Sequence, residues 1–251
     1  MDVHPYLDWP GPIAFAHRGG NRAAPENTMA AFEHAVSLGY RYLETDVHLT
    51  TDGTLVAFHD PDLTRTCGID ARIGEMSSAE VAAARVDGSH EIPLMSDLFE
   101  TFPDARFNID AKSPHSVEPL VEMVRAFDAI DRVCLASFSF RSLRRMRSLA
   151  GPTLMTNMSP IEVASLRILG RPPGRRLRAA QVPPSAGRIR VVDERFVRSS
   201  RRCGMPVHVW TIDDRAEMER LLDLGVDGIM TDDCELLRDV LVQRGRWVDP
   251  A

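Results

Sequence analysis

Three observations predict a TIM (β/α)8 barrel with a small insertion after the second strand. Eight short apolar or β-branched runs recur along the chain, seven stretches of helical periodicity lie among them, and 251 residues is a usual length for one such barrel. The strands are expected at 13–16, 42–48, 107–111, 133–137, 153–156, 179–182, 207–211 and 227–230. The helices are expected at about 28–38, 115–128, 139–149, 160–168, 194–202, 213–224 and 233–243, several of them opened by good N-cap residues. Strand and helix in alternation imply a parallel sheet, but periodicity does not encode closure, so an open doubly wound sheet is the alternative. Residues 1–251 are expected to form a single domain.

The spacing departs from one helix per strand once. Almost sixty residues separate strand 42–48 from strand 107–111, which implies an insertion at about 50–106. It begins with a hairpin signal, LETDVHL, then TTDG, then TLVAFHD. With Asp52-Gly53 as a two-residue turn, paired positions sum to 105 and Asp46 faces His59.

Composition narrows the class. The chain is 44% hydrophobic and 26% charged, which excludes a disordered tail and a disulfide-stapled mini-protein. Its net charge of −6 argues against a nucleic-acid partner. Four scattered cysteines form no CxxC pair, as expected of a reduced, cytoplasmic protein. No basic leader precedes an apolar segment, and no run approaches ~18 apolar residues, so no stable membrane insertion is expected. Oligomeric state is left open. Residues 171–202 carry ten arginines against Asp193 and Glu194, either as a solvated loop face or to steer an anionic substrate or headgroup.

In a barrel the C-terminal ends of the strands share one mouth, so their terminal residues decide the chemistry. The first strand runs into His17-Arg18-Gly19-Gly20. That turn offers an imidazole that titrates near neutrality, a bidentate anion donor, and two glycines that let backbone approach an anion. Glu44, Asp46 and His48 fall at i, i+2 and i+4, on one face of the second strand. Carboxylates facing a barrel interior need a compensating cation, and oxygen ligands at this density suit Mg²⁺ or Ca²⁺ better than zinc; a buried ion pair with arginine is the other reading. Asp110 and Lys112, the only lysine in the chain, repeat the i, i+2 arrangement on the third strand. His59 supplies a second imidazole, and Trp210 either walls the mouth or packs the core. Asp232 either caps the last helix or touches substrate. A metal with phosphate-binding cations and two imidazoles is a plan for phosphodiester cleavage.

With these residues in place, the chain resembles the glycerophosphodiester phosphodiesterase family. The likeness lies in AHRGGNRAAPENTMAAFEHAVSLGYRYLETDVHLTTDGTLVAFHD, then DLTRTCG, FNIDAK, VHVWTIDD and GVDGIMTDD. It implies a TIM barrel, one divalent cation, and a small-molecule glycerophosphodiester as substrate. It also implies His17 and His59 as the acid/base pair and Glu44, Asp46 and Asp110 as metal ligands. Arg18, Lys112, Trp210 and Asn27 are implied on the substrate side, with Asn27 as a helix cap the alternative. Asp110 stands where the family usually has glutamate, and Cys234 where it often has proline. The expected reaction is metal-dependent hydrolysis to glycerol 3-phosphate and an alcohol. The alternatives are a phospholipase D-like lyase that forms a cyclic phosphate from lysophospholipid and a non-catalytic phosphodiester-binding protein.

Overall fold

The computed structural model describes residues 4–173 and 178–249. Eight parallel strands form the barrel: β1 (Ile13–Ala16), β2 (Tyr42–Leu49), β4 (Arg106–Ala111), β5 (Val133–Ala136), β6 (Met155–Asn157), β7 (Arg178–Val182), β10 (Val207–Val209) and β11 (Gly228–Thr231). Each pairs with the next, and β1 closes the ring by pairing with β11 through Ile13 and Gly228 and with β2 through Phe15 and Tyr42. That closure excludes the open sheet.

Seven helices follow the predicted spacing: α1 (Met29–Ser37), α5 (Val117–Ala126), α6 (Phe140–Ala150), α7 (Pro160–Leu169), α8 (Glu194–Arg202), α9 (Arg215–Leu224) and α10 (Cys234–Gln243). Their N-caps are chemical: Thr28, Ser139, Asp193, Asp214 and Asp233 each accept a hydrogen bond from a backbone N–H three residues on.

Strand alternation divides the core in two. Ala14, Leu43, Ile109 and Leu135 point outward and pack beneath the helices, whereas Ile13, Phe15, Tyr42, Cys134, Met155 and Met230 fill the inside of the ring. The bottom is plugged by the chain before β1: Tyr42 donates to the Tyr6 carbonyl at 2.6 Å, and the Tyr6 and Tyr42 rings meet edge-on at 5.4 Å. With the lower barrel filled and plugged, the cavity lies at the mouth.

Between β2 and β4 lie β3 (Leu55–Ala57), α2 (Thr64–Cys67), α3 (Ser78–Ala83) and α4 (Met95–Thr101). This insertion has a small core of its own, in which Val56, Leu63, Ile73, Val81 and Val86 are buried together. The hairpin register corrects the expected one. Val47 pairs with Ala57 and His48 with Val56, a sum of 104, so Asp46 lies opposite Phe58 rather than His59. The turn is longer than two residues: the Thr50 N–H reaches the Thr54 carbonyl across a three-residue loop, with Gly53 left-handed at φ 82°. A second, unpredicted hairpin, β8 (Ser185–Ala186) with β9 (Ile189–Arg190), interrupts the arginine-rich stretch. The arginines there do not form one patch: Arg198 pairs with Glu194 on α8, Arg201 donates to the Gly225 carbonyl, and Arg178 is buried beside Glu162. Arg175 and Arg176 lie outside the described residues.

One buried ion pair fixes the β6–α7 corner that borders the mouth. Arg147 donates to both Glu162 oxygens at 2.8 and 3.2 Å, to Thr156 Oγ1 and to the Asn157 carbonyl. Burial pushes the Glu162 carboxyl up, but hydrogen bonds from Arg147 and the Ser159 N–H outweigh it and leave the pKa below the ordinary glutamate value of 4.5. A depressed folded pKa gives stability that is present above that value and lost as pH falls through the folded pKa. Arg147→Met is therefore expected to lower unfolding stability by about 3 kcal/mol near neutral pH, by leaving a buried carboxylate short of its partner. In urea titrations the gap between wild type and variant should narrow as pH falls below the ordinary glutamate value and Glu162 takes up its proton. A gap independent of pH would assign the loss to packing instead.

Candidate active site

A cavity of about 620 Å³ opens at the C-terminal ends of the strands. Its polar end is lined by His17, Arg18, Glu44, Asp46, His59, Asp110 and Lys112, and the rest is mostly apolar, with Trp210 at the junction. Eight of the nine residues to which the resemblance gives a role therefore share one cavity, and Asn27 is the exception.

The turn after β1 is shaped by close packing. Arg18 is left-handed at φ 52°, and its N–H donates to Glu44 Oε2 at 3.0 Å. A Cβ on Gly19 would sit 2.9 Å from the Ala31 Cβ and the Phe32 nitrogen, so this glycine lets the turn lie against α1. A Cβ on Gly20 would meet the Cys234 Sγ at 2.6 Å, so both glycines also serve the approach of chain to chain. His17 meets Asp232 Oδ1 through Nδ1 at 2.7 Å, and its Nε2 stands 3.8 Å from Glu44 Oε2. Burial alone would depress this imidazole, but the Glu44 charge and the Asp232 hydrogen bond raise its pKa.

Parallel pairing sets Asp46 directly beside Asp110 on β4. Two buried like charges in register are unfavourable without a cation between them, and the Lys112 ammonium stands at 2.7 Å from both Asp46 Oδ1 and Asp110 Oδ2. Burial would raise the Asp46 carboxyl, but the Lys112 and Arg18 charges hold it low; burial also raises Asp110, and Lys112 does not fully compensate. Burial, then the charge of Asp46, pushes Glu44 up. Asn27 is the corrected assignment. Only 2% exposed, it donates to Asp46 Oδ2 at 3.1 Å and accepts from Thr45 Oγ1, so it supports Asp46 from behind and does not line the cavity. Nor is it the helix cap, since Thr28 accepts the Ala31 N–H.

His59 reaches the mouth because β2 outruns β1. The low end of β2 pairs with β1, while Val47–Leu49 pairs with β3, which turns the chain back down to Phe58, whose N–H bonds the Asp46 carbonyl. The His48 ring donates through Nε2 to the His59 carbonyl at 3.0 Å, and Asp60 Oδ1 holds His59 Nδ1 at 2.6 Å. Arg65 on α2 then bonds Asp60 Oδ2 through Nε and both Glu26 oxygens through its two terminal nitrogens. Glu26 also accepts from Arg18 at 2.9 Å. His59, Asp60, Arg65, Glu26 and Arg18 thus form one hydrogen-bonded chain around the mouth. The sequence reading did not assign a role to Asp60, Arg65 or Phe138, and it left Asp232 undecided. Asp233, not Asp232, caps α10, which leaves Asp232 for His17. Phe138 meets Trp210 edge-on at 5.8 Å.

Among the described residues no three histidine, cysteine or carboxylate side chains stand arranged to hold a metal ion, and Lys112 is the cation between Asp46 and Asp110. The donor set fits a hard divalent cation all the same. Its three side chains offer only carboxylate oxygens, and Asp110 Oδ1 is buried without a hydrogen-bond partner.

Residues 17–236 match the model of the glycerophosphoryl diester phosphodiesterase family. A probable glycerophosphodiester phosphodiesterase 2 from Mycobacterium tuberculosis is 39% identical over 253 residues, covering 96% of this chain and 95% of that protein. A glycerophosphodiester phosphodiesterase from Caldanaerobacter subterraneus subsp. tengcongensis is 30% identical over 93% of this chain and 98% of its own. Among solved structures, a putative glycerophosphoryl diester phosphodiesterase from Silicibacter pomeroyi superposes with a TM-score of 0.82 at 21% identity, covering 98% of this chain and all of that one, and supports the barrel.

The hydrogen bond between His17 and Asp232 carries a prediction that needs no substrate. Asp232→Asn removes a negative charge from Nδ1, so the His17 imidazole should titrate at lower pH, as followed by NMR of its ring protons in metal-free protein. An unchanged midpoint would leave Glu44 as the sole source of the upward shift.

Proposed function

The chain belongs to the glycerophosphoryl diester phosphodiesterase family, and we propose that His17 and His59 hydrolyse its glycerophosphodiester substrate by acid/base catalysis. The observation that carries this reading is that two imidazoles from different elements line one cavity with Arg18 and Lys112, each with its Nδ1 held by a carboxylate. A carboxylate at Nδ1 keeps the proton there, so Nε2 is the nitrogen left to exchange protons. One histidine takes the proton of the attacking water as its oxygen bonds to phosphorus. The other protonates the alkoxide as the phosphorus–oxygen bond to the alcohol breaks, leaving glycerol 3-phosphate. Arg18 and Lys112 bind the phosphate oxygens and stabilise the charge that grows on them. Trp210 gives the glycerol an apolar wall.

Glu44, Asp46 and Asp110 would hold one divalent cation, Mg²⁺ or Ca²⁺, which would supply charge stabilisation at the phosphate. Binding of such an ion would compensate the carboxyl that Lys112 leaves short. Asp110, a methylene shorter than glutamate, makes this ligand the one that sets affinity. Four free cysteines agree with a reduced cytoplasm, and no helix among the described residues is long and apolar enough to cross a membrane.

Phosphorus NMR of glycerophosphocholine tests the reaction. With Mg²⁺ or Ca²⁺, glycerol 3-phosphate should appear, and chelator should stop it. A persistent cyclic phosphate would mean a lyase, and binding without product would mean a pocket that does not turn over. His17→Ala and His59→Ala should each lower kcat by roughly 10²–10⁴ while leaving substrate binding largely intact. Arg65→Met, which touches neither histidine, should lower kcat roughly tenfold by loosening Asp60 and Glu26 together. Full turnover in either histidine variant, with folding verified, would remove that residue from the mechanism.

A further inference from the structure

Between the charged end of the cavity and its apolar remainder, three carboxamides line the space: Asn108 on β4, Asn157 at the end of β6 and Gln181 on β7. Asn108 stands two residues before Asp110, so strand alternation turns it inward as well, and it pairs in register with Glu44. Gln181 reaches across the ring, where its Nε2 donates to Asn108 Oδ1 at 2.6 Å, with Cys134 Sγ at 3.8 Å. Asn157 Oδ1 accepts the Ser137 N–H at 3.1 Å. These bonds fix three side chains that are only 2%, 9% and 6% exposed, yet each uses one end of the amide alone. Asn108 Nδ2, Gln181 Oε1 and Asn157 Nδ2 have no protein partner, and none of them is sealed from solvent, so each is left to the cavity. Charge then narrows the ligand. Among the described lining residues the only charged side chain beyond the charged end is Arg167, already paired with Asp193 at 2.7 Å. An ammonium group finds no carboxylate on this floor. A hydroxyl both donates and accepts, and two adjacent hydroxyls suit a floor of two free donors and one free acceptor.

We propose that Asn108, Asn157 and Gln181 form a polyol-binding floor that selects substrates by adjacent free hydroxyls, supplied by the glycerol or by a polyhydroxylated leaving alcohol. The inference rests on the phosphodiesterase reading above and deepens it. The Trp210 N–H bonds the carbonyl of Val182, the residue after Gln181, so the indole wall rises beside the floor. A polyol whose phosphate lies at Arg18 and Lys112 meets the indole with its carbons and the amides with its oxygens. A ligand without hydroxyls leaves those amide groups unpaired in a site it has closed to water, and this is how neutral polar groups discriminate between ligands of equal size.

Two matched pairs of ligands, offered to the full chain with Mg²⁺, test this. Glycerol 3-phosphate against propyl phosphate, compared by calorimetry, reports on the glycerol hydroxyls without any turnover. Glycerophosphoglycerol against glycerophosphoethanol, compared by kcat/KM, reports on the leaving alcohol. At least one pair should differ by roughly tenfold or more in favour of the polyol. Asn157→Asp keeps the oxygen that Ser137 uses and removes the free donor, while Gln181→Met keeps the length of the side chain and removes the free acceptor. Each should cut the preference at least roughly threefold, and because the ratio is taken within one variant, general effects on folding or phosphate binding cancel. A preference in the monoester pair alone assigns the floor to the glycerol, and one in the diester pair alone assigns it to the leaving alcohol. No preference in either pair overturns the proposal. So does a preference that both variants retain in full, which would make the amides a packing layer. Selective monoester binding without turnover of any diester would sink the phosphodiesterase reading and leave the floor standing.

Discussion

The site depends on the burial of two like charges side by side. Parallel pairing of β2 with β4 puts Asp46 against Asp110, and only a cation makes that register tolerable. Lys112 supplies it from the same strand as Asp110, two residues on, so that it projects to the same face. Asn27 and Arg18 take the remaining side of Asp46, and Glu44 takes the Arg18 N–H. Each polar group at the mouth is thus oriented by a neighbour that would otherwise be left uncompensated, and this is how a barrel rim becomes a rigid array of donors and acceptors.

The barrel was legible in the sequence because its signal is local. Strands such as IAFA and RFNIDA are bounded by turn or cap residues, and the i, i+2 spacing of Glu44 with Asp46 and Asp110 with Lys112 already puts each pair on one face. Closure was not legible, since pairing of the first strand with the last brings together residues more than 200 positions apart. The hairpin register failed for a related reason: one extra loop residue shifts every partner, and Asp-Gly serves two-residue and three-residue loops alike. His59 still reached the mouth, because the direction of the returning strand matters more there than its register.

The groups that orient the side chains of the mouth were the hardest to read. Asp232 was visible as a helix-opening residue, but the cap is its neighbour Asp233, and the choice between adjacent aspartates rests on backbone geometry. Arg65 sits in DLTRTCG with nothing local to distinguish it among 29 arginines; its meaning lies in Glu26, which is 39 residues away. Asn27 looked like a cap or a substrate ligand because it precedes a helix, yet its left-handed backbone turns the amide towards Asp46.

The insertion has an energetic consequence of its own. His59 and Arg65 belong to a segment packed around Val56, Leu63 and Val81, apart from the barrel interior, whereas His17 stands on the ring itself. Segments with separate small cores open at lower free energy than the main body. The two imidazoles of the mouth therefore belong to units of different local stability. On warming, the protein should lose one imidazole from its mouth while its amide protons in the barrel strands are still protected, an excursion of the insertion rather than an unfolding of the chain.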